Sequence, residues 1–171
     1  HYKILKDKKM VDYERRVKIG GAKSWIYKGI GARLEWALIN YFIDTHIKNG
    51  FEFLMLPYML KYECGFGAGQ FPKFNDEVYT INTEDDNKKF LLPTAETALV
   101  NIHSNEIMDI SELPKKYFAY TQCFRVEAGS SREEERGTIR GHQFNKVELV
   151  QYVTEEKTQQ AFDELLNIAE T

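Results

Sequence analysis

The clearest hydrophobic pattern along the chain lies between residues 31 and 49, where apolar side chains recur at three- and four-residue spacing. The positions that share one helical face are Leu34, Ala37, Leu38, Tyr41 and Phe42. This spacing predicts an amphipathic helix that stops at Asn49-Gly50. The mostly apolar run from Phe51 to Leu56 then predicts a short buried strand, which Pro57 ends because proline cannot donate to a sheet ladder.

Two segments lack such periodicity and are predicted to be irregular. Residues 1–28 mix basic and acidic side chains and are interrupted by Gly20-Gly21, so they indicate an irregular lead-in. Residues 65–74 carry glycines at alternate positions and then Pro72. A glycine loop that cradles phosphate should lead directly into a helix, and none is predicted here, so a flexible loop is the better interpretation.

From residue 78 onward the pattern favours strands, a short helix and a final long one. Strands are predicted at 78–81 and 90–92 around a turn at 84–87, followed by a helical segment over 93–100. Two longer runs of high β-propensity, 117–127 and 139–153, predict an antiparallel hairpin around a charged loop at 128–138. A last helix follows Thr154, with Glu155 and Glu156 in its first turn and an apolar face of Ala161, Phe162, Leu165, Leu166 and Ala169.

Composition adds limits to this picture. The chain has 171 residues, of which 43% are hydrophobic, and its 23 basic and 26 acidic side chains give a net charge of −3. A surface devoted wholly to nucleic acid is therefore disfavoured, although a local basic patch remains open. No apolar run reaches the ~20 residues that span a bilayer. The start at His1 suggests a piece cut from a longer chain.

The cysteines and histidines indicate neither a metal site nor a disulfide framework. Cys64 and Cys123 stand alone, and the four histidines are scattered without metal-ligand spacing. Two isolated cysteines fit a reducing compartment, so we expect a cytoplasmic location.

Alternation along the two long strands brings polar side chains together with one aromatic ring. On the first strand Arg125 and Glu127 share a face with Cys123, and on its partner His142, Phe144, Lys146 and Glu148 share a face. Such a surface suits a flat, charged ligand, since a guanidinium binds phosphate, a ring stacks on a base and a carboxylate receives an amine.

The same residues admit a purely structural interpretation. Arg125 and Glu127 would then form an exposed ion pair, and Phe144 would belong to the core. Thr94 would cap a helix, and Glu96 would be the acidic residue that any helix favours in its first turn.

Four segments in order along the chain carry a family resemblance. The longest joins Phe124–Ser130 to Arg136–Glu148, and the others are Lys28–Glu35, Gly67–Phe74 and Pro93–Glu96. The first resembles motif 2 of class II aminoacyl-tRNA synthetases, and all four resemble the form found in seryl-tRNA synthetases of the bacterial type. Four ordered matches over almost the whole chain are far more specific than a lone Phe-Arg-x-Glu.

This resemblance implies an α+β fold, an antiparallel sheet flanked by helices, that binds ATP and serine. The family joins them into seryl-adenylate with release of pyrophosphate and transfers the seryl group to serine tRNA, as a serine-tRNA ligase. Mg²⁺ is expected with ATP, because divalent charge offsets the triphosphate. Pro57 resembles the motif 1 proline, which lies at the homodimer interface in the family.

The resemblance also implies residue roles. Arg125 would be the catalytic residue that holds the ATP α-phosphate, with Glu127 at the adenine end, Phe144 stacked on adenine and Gly141 at a backbone contact to the nucleotide. Thr94, Glu96 and Glu148 would form the serine site. In the loop after the first strand, Arg132, Arg136 and Arg140 are the candidates for contact with the tRNA acceptor end, although a solvated loop is an equal interpretation for Arg132.

The match is partial. No counterpart is found for the family's N-terminal helical arm or for its motif 3, so residues 1–171 are expected to be part of a catalytic domain, with a lead-in at 1–28 and the core at 29–171. We expect such a fragment to lack complete aminoacylation activity. The alternative is a synthetase-like paralogue that binds ATP and an amino acid but charges a carrier protein or acts as a regulatory module.

Overall fold

The computed structural model describes residues 1–82, 87–127 and 138–170. The helices are α1 (Tyr2–Asp7), α2 (Ile30–Lys48), α3 (Glu63–Gly67), α4 (Glu96–Leu99) and α5 (Thr158–Glu170). The strands are β1 (Val11–Asp12), β2 (Ile26–Tyr27), β3 (Glu52–Phe53), β4 (Met59–Lys61), β5 (Thr80–Ile81), β6 (Lys89–Leu91), β7 (Lys115–Phe124) and β8 (Gln143–Tyr152). Short 3-10 turns at Arg15–Lys18, Asn75–Glu77, Ile110–Glu112 and Glu155–Lys157 complete the described structure.

The β7–β8 hairpin organises the fold. The two strands pair antiparallel from Lys115 opposite Tyr152 to Phe124 opposite Gln143, and β3 pairs with β7 in parallel. The predicted hairpin is confirmed, but its bounds differ: β7 begins two residues before the predicted 117–127 and ends three residues earlier, and β8 covers only Gln143–Tyr152 of the predicted 139–153. Glu127 has φ +52°, a left-handed backbone that cannot continue an extended ladder. On β7 the ladder therefore ends just before Arg125 and Glu127.

The two faces of the hairpin pack against different parts of the chain. On one face, Phe118 of β7 stacks on Phe53 at a ring-centroid distance of 4.9 Å and meets His46 of α2 at 5.5 Å. On the other face, Tyr117 and Ala119 pack with the α4 segment. The long helix α2 thus lies on one side of the sheet, and α4 lies on the other.

A second antiparallel sheet lies on the α4 side, in the strand order β4-β6-β5. Its central residue Phe90 packs with Leu60, Leu92 and Cys123, all of them buried. The predicted strands over 78–81 and 90–92 are present as β5 and β6, whereas β4 was missed because only Leu60 of its three residues is buried. The predicted turn at 84–87 lies almost entirely outside the described residues.

The prediction of an irregular lead-in at 1–28 was wrong. This segment forms α1 and a β1–β2 pair, with Val11 and Tyr13 buried. The contacts that organise it come from elsewhere: a Cβ on Gly31 of α2 would lie 2.3 Å from the Met10 carbonyl oxygen, so the segment is packed tightly on the start of that helix. Short-range sequence patterns contain no signal for such packing.

The prediction of a flexible loop at 65–74 was also wrong at its start. Residues Glu63–Gly67 form α3, and Gly65 is buried against the ring of Phe71. The glycine at position 65 provides space for the aromatic ring of Phe71.

The remaining predicted elements are present, but side chains predicted to be buried are exposed and one strand is shorter than predicted. Helix α2 forms as predicted, but its apolar face is exposed in this chain, with Leu38 at 50% and Tyr41 at 59% exposure. The same holds for α5, where Ala161 is buried but Phe162 is 60% exposed. Of the predicted strand 51–56 only β3 pairs, and the helical segment 93–100 contains α4.

The close approach at Gly65 predicts a destabilised variant. In Gly65→Ala the new Cβ would meet ring carbons of Phe71 at 2.2 Å and 2.3 Å, so the helix or the ring must move. We expect the free energy of unfolding to fall by about 1–3 kcal/mol, measured by urea denaturation of the chain.

The control is a double-mutant cycle with Phe71→Leu, which removes the ring. The two substitutions should be strongly non-additive, with Gly65→Ala costing less in the Phe71→Leu background. Additive losses would show that the ring does not limit this site.

Candidate active site

Arg125 lies immediately after β7 and is held by neighbouring backbone. Its N–H donates to the His142 carbonyl oxygen at 3.0 Å, and its Nε donates to the Pro93 carbonyl oxygen at 3.1 Å. The guanidinium carbon lies 5.1 Å from the centroid of the Phe144 ring. Within the described residues, these partners are neutral, so the guanidinium charge is positioned without a carboxylate that neutralises it.

Phe144 combines the two roles that the sequence left open. It is half-buried, pairs across the hairpin with Cys123, and packs against the core cluster that contains Phe90. The Arg125 guanidinium lies against the same ring. Phe144 is therefore anchored in the core while part of its surface remains at the edge of the site.

Glu127 pairs with Arg140, at 3.0 Å between Oε2 and Nη1. The structural interpretation expected the Glu127 carboxylate to pair with Arg125. The ion pair that the structure shows for this carboxylate is instead with Arg140. The Glu127 carbonyl oxygen also accepts a hydrogen bond from Nζ of Lys23 at 2.7 Å. Arg140 is exposed, and its two companions in the loop prediction, Arg132 and Arg136, lie outside the described residues.

Thr94, Lys146 and Glu148 form one connected cluster. The Thr94 hydroxyl donates to Oε2 of Glu148 at 2.6 Å and accepts from Nζ of Lys146 at 2.7 Å. Lys146 and Glu148 also form an ion pair directly. The three residues come from the segment between β6 and α4 and from the α4-facing side of β8, so folding brings together side chains 54 positions apart.

Glu96 lies close to this cluster in sequence but is exposed in the first turn of α4. Its backbone N–H donates to the Thr94 hydroxyl at 3.3 Å. The N-cap of α4 is Ala95, so Thr94 is not the cap that the structural interpretation expected; it precedes the cap and contacts both the start of α4 and β8. The described contacts do not bring the Glu96 carboxylate to Glu148.

Gly141 is held against the lead-in segment. A Cβ at this position would lie 2.4 Å from the Trp25 ring and 3.0 Å from the Lys23 carbonyl oxygen. The next residue, His142, donates its N–H to that same carbonyl at 2.9 Å. Lys23 and Trp25 thus fix the start of β8. The sequence reasoning missed this contribution, for which Gly141, a glycine within a predicted strand, was the one available signal.

A cavity of about 610 Å³ opens beside the start of β8. Its lining includes Phe144, Trp25, Tyr27, Glu35 and Asn145. Burial, followed by the charge of Glu35, raises the pKa of Tyr27 to about 12, so its hydroxyl is neutral at physiological pH. The cavity reaches Phe144, but Arg125 and Glu148 are not among its lining residues.

Neither cysteine has the environment of a nucleophile. Both are free thiols, and burial raises the pKa of Cys64 and of Cys123. Across residues 1–82, 87–127 and 138–170 there is no group of three or more His, Cys, Asp or Glu side chains placed to hold a metal ion. Among the described helices, none is long and apolar enough to cross a bilayer.

Pro57 is exposed between β3 and β4. A groove of about 410 Å³ lies beside it, lined by Phe53, Met55, Leu56, Tyr58, Met59 and Tyr120. The structure of the single chain places this proline at the surface and next to apolar side chains.

Comparison with known proteins places this geometry in a family. Residues 79–171 match the family model described as the tRNA synthetase class II core domain (G, H, P, S and T). A serine–tRNA ligase 2 from Clostridium acetobutylicum is 57% identical over 172 aligned residues, covering 99% of this chain and 40% of that protein. A serine–tRNA ligase from a Geobacillus species is 44% identical, over an alignment that covers 99% of this chain and 40% of that protein.

Solved structures agree. The seryl-tRNA synthetase from Pyrococcus horikoshii complexed with ATP superposes with a TM-score of 0.91 and 32% identity, over 98% of this chain and 37% of that one. The cytoplasmic serine–tRNA ligase from Naegleria fowleri in complex with AMP gives a TM-score of 0.91 and 30% identity, over 98% of this chain and 39% of that one. The chain thus spans about 40% of the length of the curated relatives it matches. By its motifs, its fold and the family model that covers residues 79–171, the chain belongs to the class II tRNA synthetase core family.

Proposed function

We propose that the protein containing this chain is a serine-tRNA ligase that activates serine with ATP and transfers it to serine tRNA. The observation that carries the proposal is the single face of β8 on which Phe144, Lys146 and Glu148 lie in line. Phe144 and Glu148 are four residues apart, roughly 13 Å at the usual rise of a strand. That separation suits a ligand with a flat ring at one end and an ammonium at the other, as an aminoacyl adenylate has.

Arg125 is the proposed catalytic residue of adenylate formation. The serine carboxylate attacks the α-phosphorus and pyrophosphate leaves, while negative charge builds on the α-phosphate oxygens. Arg125 is fixed through Pro93 and His142, so its guanidinium is placed in advance where it stabilises that charge. Phe144 would stack on adenine, with Glu127 and the backbone at Gly141 at the nucleotide end.

The proposed serine site is the cluster around Glu148. Its carboxylate and the Thr94 hydroxyl are acceptors for the substrate ammonium, with Glu96 at the rim of the site. The reaction requires no general base, because the substrate carboxylate is already the nucleophile; the protein contributes positioning and charge stabilisation.

Mg²⁺ is proposed to enter with ATP. The described residues present no carboxylate cluster that would hold it by themselves, whereas phosphate oxygens are the hard ligands that Mg²⁺ prefers. The metal would offset the charge of the triphosphate, and Arg125 would contribute the protein's own positive charge.

Arg132, Arg136 and Arg140 are proposed to meet the phosphates of the tRNA acceptor end. We further propose a cytoplasmic homodimer in which Pro57 and the exposed apolar face of α2 lie at the interface. Leu34, Leu38 and Tyr41 support that surface, because contiguous apolar side chains on one helix face are usually covered in an assembled protein.

Replacing Arg125 tests the catalytic proposal. In the full-length protein, Arg125→Ala should lower serine-dependent ATP–pyrophosphate exchange by about 10²- to 10³-fold, the usual loss when one group that stabilises transition-state charge is removed. The matched control is Arg15→Ala, which removes an exposed arginine paired with Asp12 and should leave exchange unchanged. Near-normal exchange in Arg125→Ala would remove this residue from the site.

Charging the α2 face tests the dimer proposal. In the full-length protein, Leu38→Glu should shift the molecule from dimer to monomer, as measured by sedimentation velocity, because a buried unpaired carboxylate is costly at an interface. Asn40→Glu adds the same charge two residues away, on another side of the helix, and should leave the dimer intact. A dimer that survives Leu38→Glu would contradict the proposed interface.

A further inference from the structure

The hydroxyl of Thr94 has its full set of partners. It donates its one proton to Glu148 and accepts from Nζ of Lys146 and from the backbone N–H of Glu96. A hydroxyl has one proton and two lone pairs, so nothing remains for a ligand. An incoming ammonium can bond to Thr94 only by replacing one of the present donors.

Lys146 is the donor that can be replaced. The Glu96 N–H belongs to the backbone at the start of α4, whereas Nζ of Lys146 ends a flexible side chain that is 30% exposed. Its ammonium group contacts both the Thr94 hydroxyl and the Glu148 carboxylate. These are the acceptors proposed above for the ammonium of the substrate, so Lys146 occupies that position in the structure of the chain alone.

Displacement of Lys146 creates a charge that needs a partner. Once the substrate ammonium pairs with Glu148, the Lys146 ammonium has lost its carboxylate. The anion that arrives with the ligand is the α-carboxylate, one carbon away from the substrate ammonium. Arg125 is tethered to Pro93 through its Nε and is assigned to the α-phosphate, whereas the long stem of Lys146 allows its ammonium to move by a few ångströms.

We propose that Lys146 exchanges ion-pair partners when the amino acid binds: it releases Glu148 to the substrate ammonium and pairs with the substrate carboxylate. The Lys146–Glu148 ion pair is thereby replaced by two ion pairs with the ligand, and the site recognises both charges of the zwitterion together. This inference rests on the proposed function, because it assigns a role within the same serine site. Lys146 becomes a specificity-determining residue that distinguishes amino acids from amines that lack a carboxylate.

The exchange predicts a coupling between Lys146 and the ligand carboxylate. Serine and 2-amino-1,3-propanediol (serinol) share the ammonium and the hydroxyl, but in serinol a hydroxymethyl group replaces the carboxylate. The dissociation constants of both ligands are measured by isothermal titration calorimetry on the full-length protein, in the presence of the α,β-methylene analogue of ATP so that no adenylate forms. The same titrations are made on Lys146→Met, which keeps the stem without the charge, and on Lys146→Arg, which keeps the charge.

The readout is the ratio of the serinol to the serine dissociation constant within each protein. In Lys146→Met this ratio should fall by about tenfold from the wild-type value, the order expected for a lost charged hydrogen bond, while Lys146→Arg should retain most of the preference for serine. Because both ligands are compared on the same variant, a general loss of stability cancels from the ratio.

An unchanged ratio in Lys146→Met overturns the inference. If Lys146 only competed with the ligand, both ligands would bind more tightly by the same factor; if its role were only structural, both would bind more weakly by the same factor. A wild-type protein that binds no serine and shows no serine-dependent exchange would instead overturn the proposed function, and this inference with it.

Discussion

The register of the β7–β8 hairpin is the constraint on which the rest of the structure depends. Cys123 lies opposite Phe144, Thr121 opposite Lys146, and Ala119 opposite Glu148. Side chains alternate along a strand, so a slip of one residue would turn the ring and both charged groups of β8 toward α2. The hydrophobic pattern of β7 resists such a slip, because Phe118 is needed on the α2 face and Cys123 in the core on the other.

The two strands of the hairpin contribute different kinds of side chain to the site. Beyond Tyr117 on the α4-facing side, β7 contributes the smaller residues Ala119, Thr121 and Cys123, all of them fully buried. The β8 residues opposite them are larger, polar or aromatic, and only half-buried. A strand of small buried side chains supports the backbone closely from one side and leaves room for long side chains on its neighbour, so core packing and site geometry come from the same pairing.

The segment between β6 and α4 completes the site because it is tied to the hairpin at three successive residues. The Leu92 carbonyl oxygen accepts from Phe124, that of Pro93 accepts from Arg125, and the Thr94 side chain bonds to Glu148. These bonds join the segment that follows β6 to the hairpin and the residue after β7. Any shift between the two sheets would therefore displace Arg125 and the Glu148 cluster together.

Sequence reasoning succeeded where the determining interactions are periodic and failed where they are long-range. High β-propensity predicted the hairpin, alternation placed Phe144, Lys146 and Glu148 on one face, and helical spacing predicted α2. The order in residues 1–28 was missed because it depends on Trp25 against Gly141 and on Met10 against Gly31. The sequence pattern also could not show that Lys146 holds an exchangeable position, because alternation predicts which side chains share a face but not their hydrogen-bond partners.

The pairing of the cations explains why the mild negative charge of the chain says little about its site. Arg140 is paired with Glu127, and Lys146 with Glu148, so each of these cations already has a carboxylate. Arg125, in the described part of the chain, is held by a carbonyl oxygen and an aromatic ring, which orient a guanidinium without cancelling its charge. Under the proposed function, a phosphate would therefore meet one cation positioned in advance, and an amino acid would meet one that must first change partners. The site thus presents two cations, Arg125 after β7 and Lys146 on β8, that differ in what a ligand must do to reach them.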